Sequence, residues 1–256
     1  MRLVLLGDPV AHSRSPAIQR AALAAAGIPG SYEARRVDAR GVYLAAAEIR
    51  AGDLRGANVT MPHKQVAAAA ADRLSAAAAR CGAVNTLVGE EGEVVGHNTD
   101  VPGLLAAGER AGIRRGLPVL VLGGGGAAAA ALVALAGGGV SIATRRPGAG
   151  EALAATLGVA ATGVPWGRPQ PGSVVVNATP LGMEGEPLPP GVVEEAAGLI
   201  DLPYGREPTP AVLLARARGL PVADGLDHLV AQAALSFELW AGVPAPLGAM
   251  EAVARA

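Results

Sequence analysis

Apolar residues in this chain fall into two patterns: short runs of a few residues, and longer stretches in which they recur every three or four positions. The first pattern marks strands that a sheet buries, the second helices with one buried side. Read this way, RLVLLG (2–7), SYEARRV (31–37) and RGANVT (55–60) are strands, with helices over about 15–26 and 42–50 between them. Ser15 as N-cap and Pro16 at the first helical position open the first of these helices. Strand and helix alternating in this order imply a parallel sheet. Helices then cover roughly 62–80, and AVNTLVG (83–89) and EVVGHN (93–98) form a hairpin that turns at Glu90-Glu91-Gly92.

A second alternating series begins near residue 100. It runs helix 101–112, strand 117–126, helix 127–136, strand 140–144, helix 150–157, strands 173–179 and 198–202, and helix 210–218. Two helices, about 226–241 and 246–255, end the chain. The expected fold class is α/β in two domains. Residues 1–101, with returning helices 226–256, form a substrate-binding and catalytic domain on a mostly parallel sheet. Residues 102–225 form a second wound sheet.

Composition narrows the picture. Half of the residues are apolar (51%), enough for a proper core, but only 2% are aromatic, which argues against aromatic stacking surfaces. A formal net charge of −1 with no basic stripe excludes binding to nucleic-acid phosphates. One cysteine, Cys81, excludes an internal disulfide and fits a reducing compartment. The N-terminus MRLVLLGDPV is too short an apolar segment for a signal sequence or a membrane span, so a cytoplasmic location is expected.

Three features carry chemistry. The first is Lys64, the only lysine among 21 basic residues. A guanidinium stays protonated at any working pH, whereas an ammonium can give up a proton, so Lys64 is a candidate proton donor. The second is VLVLGGGGAAAA, which fits G-x-G-x-x-A through Gly123, Gly125 and Ala128 between a strand and a helix. Glycines there permit a tight turn and a close approach to a pyrophosphate, and the helix N-terminus offers free N–H groups. The loop Gly123, Gly124, Gly125, Gly126 and Ala127 is thus the expected dinucleotide site of a Rossmann-like domain. An NAD site wants an acid near the end of the next strand, but this chain has Thr144, Arg145 and Arg146 there. Two guanidinium groups and a hydroxyl suit a 2′-phosphate, so NADP(H) is the expected cofactor. The third feature is the set of four asparagines, Asn58, Asn85, Asn98 and Asn177, each at the end of an expected strand. They suggest a polar pocket beyond the carboxyl ends of the sheet.

Eight ordered motifs then resemble the shikimate dehydrogenase family. They are GDPVAHSRSP (7–16), NVTMPHK (58–64), GAVNT (82–86), GHNTDVPG (96–103), GGGGA (123–127), NATPLGM (177–183), DLPYGREPTP (201–210) and GLDHLVAQAALSFELW (225–240). The match is collinear over nearly the whole chain. The resemblance implies NADPH-dependent reduction of 3-dehydroshikimate to shikimate, in the pathway to the aromatic amino acids. It implies Lys64 and Asp100 as the catalytic pair, and Ser13 and Ser15 on the substrate carboxylate at the start of the first helix. Thr60, Asn85, Tyr204 and Gln232 match the family's other substrate contacts. Leu202 and Gly225 match positions near the nicotinamide, where Gly225 would permit close backbone approach.

His63 is expected to line the cleft, and His97 and Cys81 to be packing residues. No histidine has metal-like partner spacing, so no metal is expected. The implied partner is a small molecule, shikimate or 3-dehydroshikimate, with no nucleic acid and no membrane; a homodimer is the candidate assembly. The chain departs from the family pattern at Thr144, Pro180, Arg206 and His228, where Asn, Ser, Pro and Met are more usual. Two rival readings are a quinate/shikimate dehydrogenase of broader specificity and a non-catalytic NADP-binding regulator. Retention of Lys64 and Asp100 argues against the regulator.

Overall fold

The computed structural model describes residues 1–256. In chain order the first elements are β1 (Arg2–Gly7), α1 (Ser15–Ala25), β2 (Ser31–Arg36), α2 (Ala39–Arg50), β3 (Gly56–Val59), α3 (Lys64–Ala70), β4 (Arg73–Leu74), α4 (Ala76–Cys81), β5 (Thr86–Glu90) and β6 (Glu93–His97). Next come α5 (Asp100–Arg110), β7 (Val119–Leu122), α6 (Gly126–Ala134), β8 (Val140–Ala143), α7 (Ala149–Thr156), β9 (Thr162–Val164), β10 (Val174–Asn177) and β11 (Gly198–Asp201). The chain closes with α8 (Pro210–Ala217), β12 (Val222–Ala223), α9 (Gly225–Ala241) and α10 (Leu247–Ala254). It divides into two compact units, Met1–Asp100 with Leu229–Ala256, and Val101–His228.

The first unit is a six-stranded sheet in the order β2-β1-β3-β5-β6-β4. β1 pairs in parallel with β2 and β3, as the strand–helix alternation predicts, but β5 runs antiparallel to both β3 and β6. The antiparallel section follows from the hairpin, which returns the chain without a crossover helix. Its core gathers Val4, Leu6, Val42, Ala46, Leu54, Ala57, Val84 and Leu87, all below 3% exposed, so it needs little aromatic bulk.

Trp240, on α9, is one of the few large aromatic residues buried in this unit. It is 2% exposed and donates from Nε1 to the Leu87 carbonyl at 2.9 Å. Gly56 makes room for it: a Cβ there would lie 2.2 Å from Trp240 Nε1 and 2.4 Å from the Leu87 oxygen.

The second unit is also six-stranded, in the order β12-β11-β10-β7-β8-β9, and every pairing in it is parallel. Its central strands β7, β10 and β11 are buried along their whole length. That accounts for the unbroken apolar runs VLVL and VVV.

Local differences from the expected elements have local causes. Helix α1 starts one residue early, with Arg14 as N-cap and no side-chain cap; Ser15 donates its N–H to Ser13 Oγ at 3.2 Å instead of capping. The helical stretch expected over 62–80 is interrupted by β4. There Asp72 exchanges backbone and side-chain bonds with Val94 and pairs with Arg50, pulling the chain into the sheet beside β6. β9 and β12, three and two residues long, are too short to show any alternation. No helix is long and apolar enough to cross a membrane.

Gly56→Ala is expected to lower folding stability by at least about 2 kcal/mol, from overpacking and the broken indole bond together. Urea denaturation reads this as a lower midpoint. An unchanged midpoint would mean that the Trp240 pocket has slack.

Candidate active site

Lys64 is the first residue of α3, directly after the turn that leaves β3. Its Nζ lies 2.7 Å from Asp100 Oδ2, and the two side chains are 25% and 11% exposed. Asp100 is held from its other side. Its backbone N–H donates to Asn98 Oδ1 at 3.1 Å, while Asn98 Nδ2 donates to the Ala83 carbonyl at 3.0 Å. The pair is therefore a charge-assisted hydrogen bond at the edge of solvent, with the carboxylate more sheltered than the amine.

Beneath it lies a closed circuit of neutral polar groups. Asn85 Oδ1 accepts from the Thr99 N–H at 2.8 Å, and its Nδ2 donates to Thr99 Oγ1 at 2.9 Å. Thr99 Oγ1 lies 3.2 Å and Thr86 Oγ1 2.8 Å from Ser236 Oγ on α9. Asn58 Nδ2 donates to the Asn85 carbonyl, to Thr86 Oγ1 and to Ser236 Oγ, each at 3.0–3.1 Å. Tyr32 closes the circuit, donating to Asn58 Oδ1 at 2.7 Å; burial drives its phenol far above the ordinary range, which keeps it a donor.

The asparagines are thus built differently from a simple pocket rim. Asn58 lies within β3, not at its end, and all four amides are engaged by the protein itself. Asn85 donates one amide proton to Thr99 Oγ1 and has a second to give. The circuit's other members, Thr86, Thr99 and Ser236, escape notice in the sequence. The available signal is Gln232 and Ser236, two polar residues one turn apart in an otherwise apolar stretch of α9.

The remaining candidates in the first unit lie after β3, at the start of α1 and on α9. Thr60 follows β3, with its Cγ2 filling the space that a Cβ on Gly7 would need, at 2.3 Å. Ser13, half-buried, and Ser15, 8% exposed, stand at the start of α1. Gln232 is half-buried on α9, and its carbonyl accepts from Ser236 Oγ at 3.0 Å. His63 is buried, with Nε2 2.8 Å from the Val37 carbonyl, and so anchors the turn that precedes Lys64. His97 is half-buried, with a lowered pKa caused chiefly by burial. No group of three or more His, Cys, Asp or Glu side chains is placed to hold a metal ion.

In the second unit the glycine loop joins β7 to α6. Gly123 has φ +118°, and a Cβ on it would lie 2.7 Å from the Ala178 oxygen. Only glycine fits that position. Gly125 and Gly126 are different: a Cβ on either would meet nothing within 4 Å. No side chain caps α6, so its first N–H groups, including that of Ala127, have no side-chain acceptor at the cap. Such an uncapped, unobstructed helix start fits a pyrophosphate. Next to it Gly124 packs against Thr144, whose Oγ1 donates to the Arg146 carbonyl at 2.6 Å. Arg145 and Arg146 are exposed and have no ion-pair partner.

Leu202, Tyr204 and Gly225 also belong to this unit. Gly225 does permit a close backbone approach: a Cβ there would lie 2.4 Å from the Pro203 oxygen and 2.6 Å from the Leu202 oxygen. Its smallness serves the approach of the chain's own backbone.

Known proteins resemble this chain over its whole length. The family model described as the shikimate dehydrogenase substrate binding domain matches residues 5–87, and that of the shikimate 5'-dehydrogenase C-terminal domain matches residues 225–255. A Thermus thermophilus protein named shikimate dehydrogenase (NADP(+)) is 42% identical over 260 residues, covering 100% of this chain and 98% of the relative. One from Alkalilimnicola ehrlichii is 41% identical, with 94% of each chain covered. The crystal structure of a Thermus thermophilus shikimate 5-dehydrogenase in complex with NADP(H) and shikimate superposes with a TM-score of 0.90 at 40% identity, over 100% of this chain and 98% of that one.

Cys81 ends α4, is 8% exposed, and has its thiol pushed up to about 11, first by burial and then by the Asp100 charge. Only the thiolate is reactive, so iodoacetamide at pH 8 should label it at least tenfold more slowly than an unfolded control, with the rate still rising above pH 10. Labelling at the rate of a free thiol at pH 8 would contradict this placement.

Proposed function

The chain belongs to the shikimate dehydrogenase family, and from that membership we propose that Lys64 and Asp100 form the catalytic pair of an NADP-dependent enzyme that reduces 3-dehydroshikimate to shikimate. The observation that carries the assignment of the pair is the 2.7 Å contact between Lys64 Nζ and Asp100 Oδ2. NADPH, when bound, supplies the hydride that the carbonyl carbon needs.

The chain's own residues supply everything else. The Lys64 ammonium, aimed by the bond to Asp100, donates to the carbonyl oxygen and transfers a proton to it as negative charge develops there. The neutral amine is recharged from solvent, to which its side chain is open. Asp100 keeps the ammonium oriented throughout and offsets its positive charge between turnovers. Hydrogen-bond donation to a developing alkoxide is worth about 10²–10³ in rate, and a positioned acid about 10²–10⁴.

Ser13 and Ser15 hold the ring carboxylate, and Thr60, Asn85, Tyr204 and Gln232 the ring hydroxyls. A site built to bind hydroxyl groups discriminates strongly against analogues that lack them. On the cofactor side, Gly123–Ala127 receive the pyrophosphate. Thr144, Arg145 and Arg146 receive the 2′-phosphate, with Arg145 and Arg146 free of competing carboxylates. The proposed location is the cytoplasm, and the proposed assembly a homodimer, which light scattering on the purified protein checks.

Absorbance at the NADPH band with shikimate and NADP⁺ tests the reaction directly, with quinate and NAD⁺ as comparison arms. A folded protein giving no signal in any arm would favour a regulator. Lys64→Ala should lower kcat by about 10³-fold or more while the shikimate KM moves less than tenfold. Lys64→Arg, which keeps the charge but not the transferable proton, should remain at least about 10²-fold impaired; near-normal turnover in it removes the acid role. Arg145→Ala should raise the NADPH KM roughly tenfold and leave NADH unaffected.

A further inference from the structure

Asp201 ends β11 with no solvent exposure and no cationic partner. Two neutral donors hold its carboxylate: Asn177 Nδ2 reaches Oδ1 at 2.6 Å, and Thr209 Oγ1 reaches Oδ2. Burial, helped by the nearby Asp224 charge, pushes this carboxyl up to about 6; Asp224 itself is paired with Arg216 at 2.9 Å. A buried carboxylate without a counter-ion is costly to keep, and the reaction chemistry makes no use of it.

Its neighbours show what it does. Asn177 Oδ1 accepts from the Thr179 N–H at 3.1 Å and from Thr179 Oγ1 at 2.6 Å, while Nδ2 also donates to the Leu181 carbonyl at 3.1 Å. That fixes the amide's orientation, so its nitrogen needs an acceptor at position 201. On the other side Thr209 Oγ1 accepts from the Val212 N–H at 3.2 Å, capping α8, and gives its own proton to Asp201. A carboxylate accepts from both; an asparagine at 201 would turn a donor toward one of them.

The segment organised in this way touches the glycine loop. The Ala178 oxygen is the atom that a Cβ on Gly123 would strike at 2.7 Å, and Thr179 Cγ2 lies 3.3 Å from the same point. Ala178 N–H donates to the Leu122 carbonyl at 2.9 Å, and Leu202 N–H to the Asn177 carbonyl at 3.0 Å.

We propose that Asp201 is a positioning residue for the dinucleotide: through Asn177 and Thr179 it shapes the backbone against which Gly123 packs, and through Thr209 it fixes the end of the 202–209 segment. The inference rests on the NADP reading of the glycine loop. It implies that the carboxylate acts on parts of the site that NADP⁺ and NAD⁺ share, unlike Arg145.

The test uses purified full-length Asp201→Asn, Thr209→Val and Thr209→Ser, with Kd measured for NADP⁺ and for NAD⁺, and with kcat and the shikimate KM measured at saturating NADP⁺. Asp201→Asn and Thr209→Val are expected to weaken both dinucleotides at least fivefold and by the same factor, and to weaken them by a larger factor than they raise the shikimate KM. Thr209→Ser should restore both affinities to within twofold. Should Asp201→Asn not fold, Thr209→Val decides the question in its place. A folded variant that binds both dinucleotides like wild type, beside a wild-type protein that binds NADP⁺, overturns the inference alone. Wild-type protein that binds neither dinucleotide overturns the NADP reading and this inference with it.

Discussion

A buried amide needs partners for the donors and acceptors it carries, and in this protein that requirement fixes where the Lys64 and Asp100 charges stand. Leaving one such group unsatisfied costs about 1–3 kcal/mol, a sizeable part of a total stability of about 5–15 kcal/mol. In the first unit the bonds that Asn58 and Asn85 make within the protein form only if Tyr32, Thr86, Thr99 and Ser236 all arrive together. These residues come from β2, β5, the turn after β6, and α9, so the circuit locks together segments distant in sequence. Thr99 is its last member, and Asp100 is the next residue along the chain. Asp100 is aimed at Lys64 because the residue before it has no other place to be.

The second unit solves a similar problem with one ionisable group added. Asn177 could not be Asp there, since a carboxylate in its place would face Asp201 across 2.6 Å. Nor could Asp201 be replaced by an amide without reversing one hydrogen bond. In both units an asparagine joins a strand to the turn beyond it, because one side chain can accept from a backbone N–H while donating elsewhere. The common result is a rigid backbone exit from the sheet, at the edge where open α/β sheets take their ligands.

This explains what could be read from the sequence and what could not. Strands β1, β7 and β10 were legible because full burial makes their apolar runs continuous. Lys64 was legible because it is solitary, and the glycine loop because strand, glycines and helix follow in order. The short strands β4, β9 and β12 were not, since each depends on a neighbour's pairing and not on its own pattern. The asparagines marked the right edge of the sheet, but their partners did not show: a hydroxyl 150 residues away, as between Thr86 and Ser236, leaves no local trace. Gly225 shows the same limit, for its position signals close approach without saying what approaches.

The division of labour between neutral and charged groups bears on the catalytic assignment. Most of the protein's ion pairs are surface pairs: Arg50–Asp72, with side chains 38% and 35% exposed, and Arg73–Glu93, at 56% and 52%, are of the kind that adds little stability. The buried segments beneath the Lys64–Asp100 pair are held by amides and hydroxyls, which carry no desolvated charge. Lys64–Asp100 is therefore not needed to hold the first unit together, and sheltering a carboxylate to 11% exposure has a cost that the neutral circuit does not. A charged pair kept where the fold is already satisfied without it fits the proposed role of the amine, since a lysine is the cation that can release its proton there.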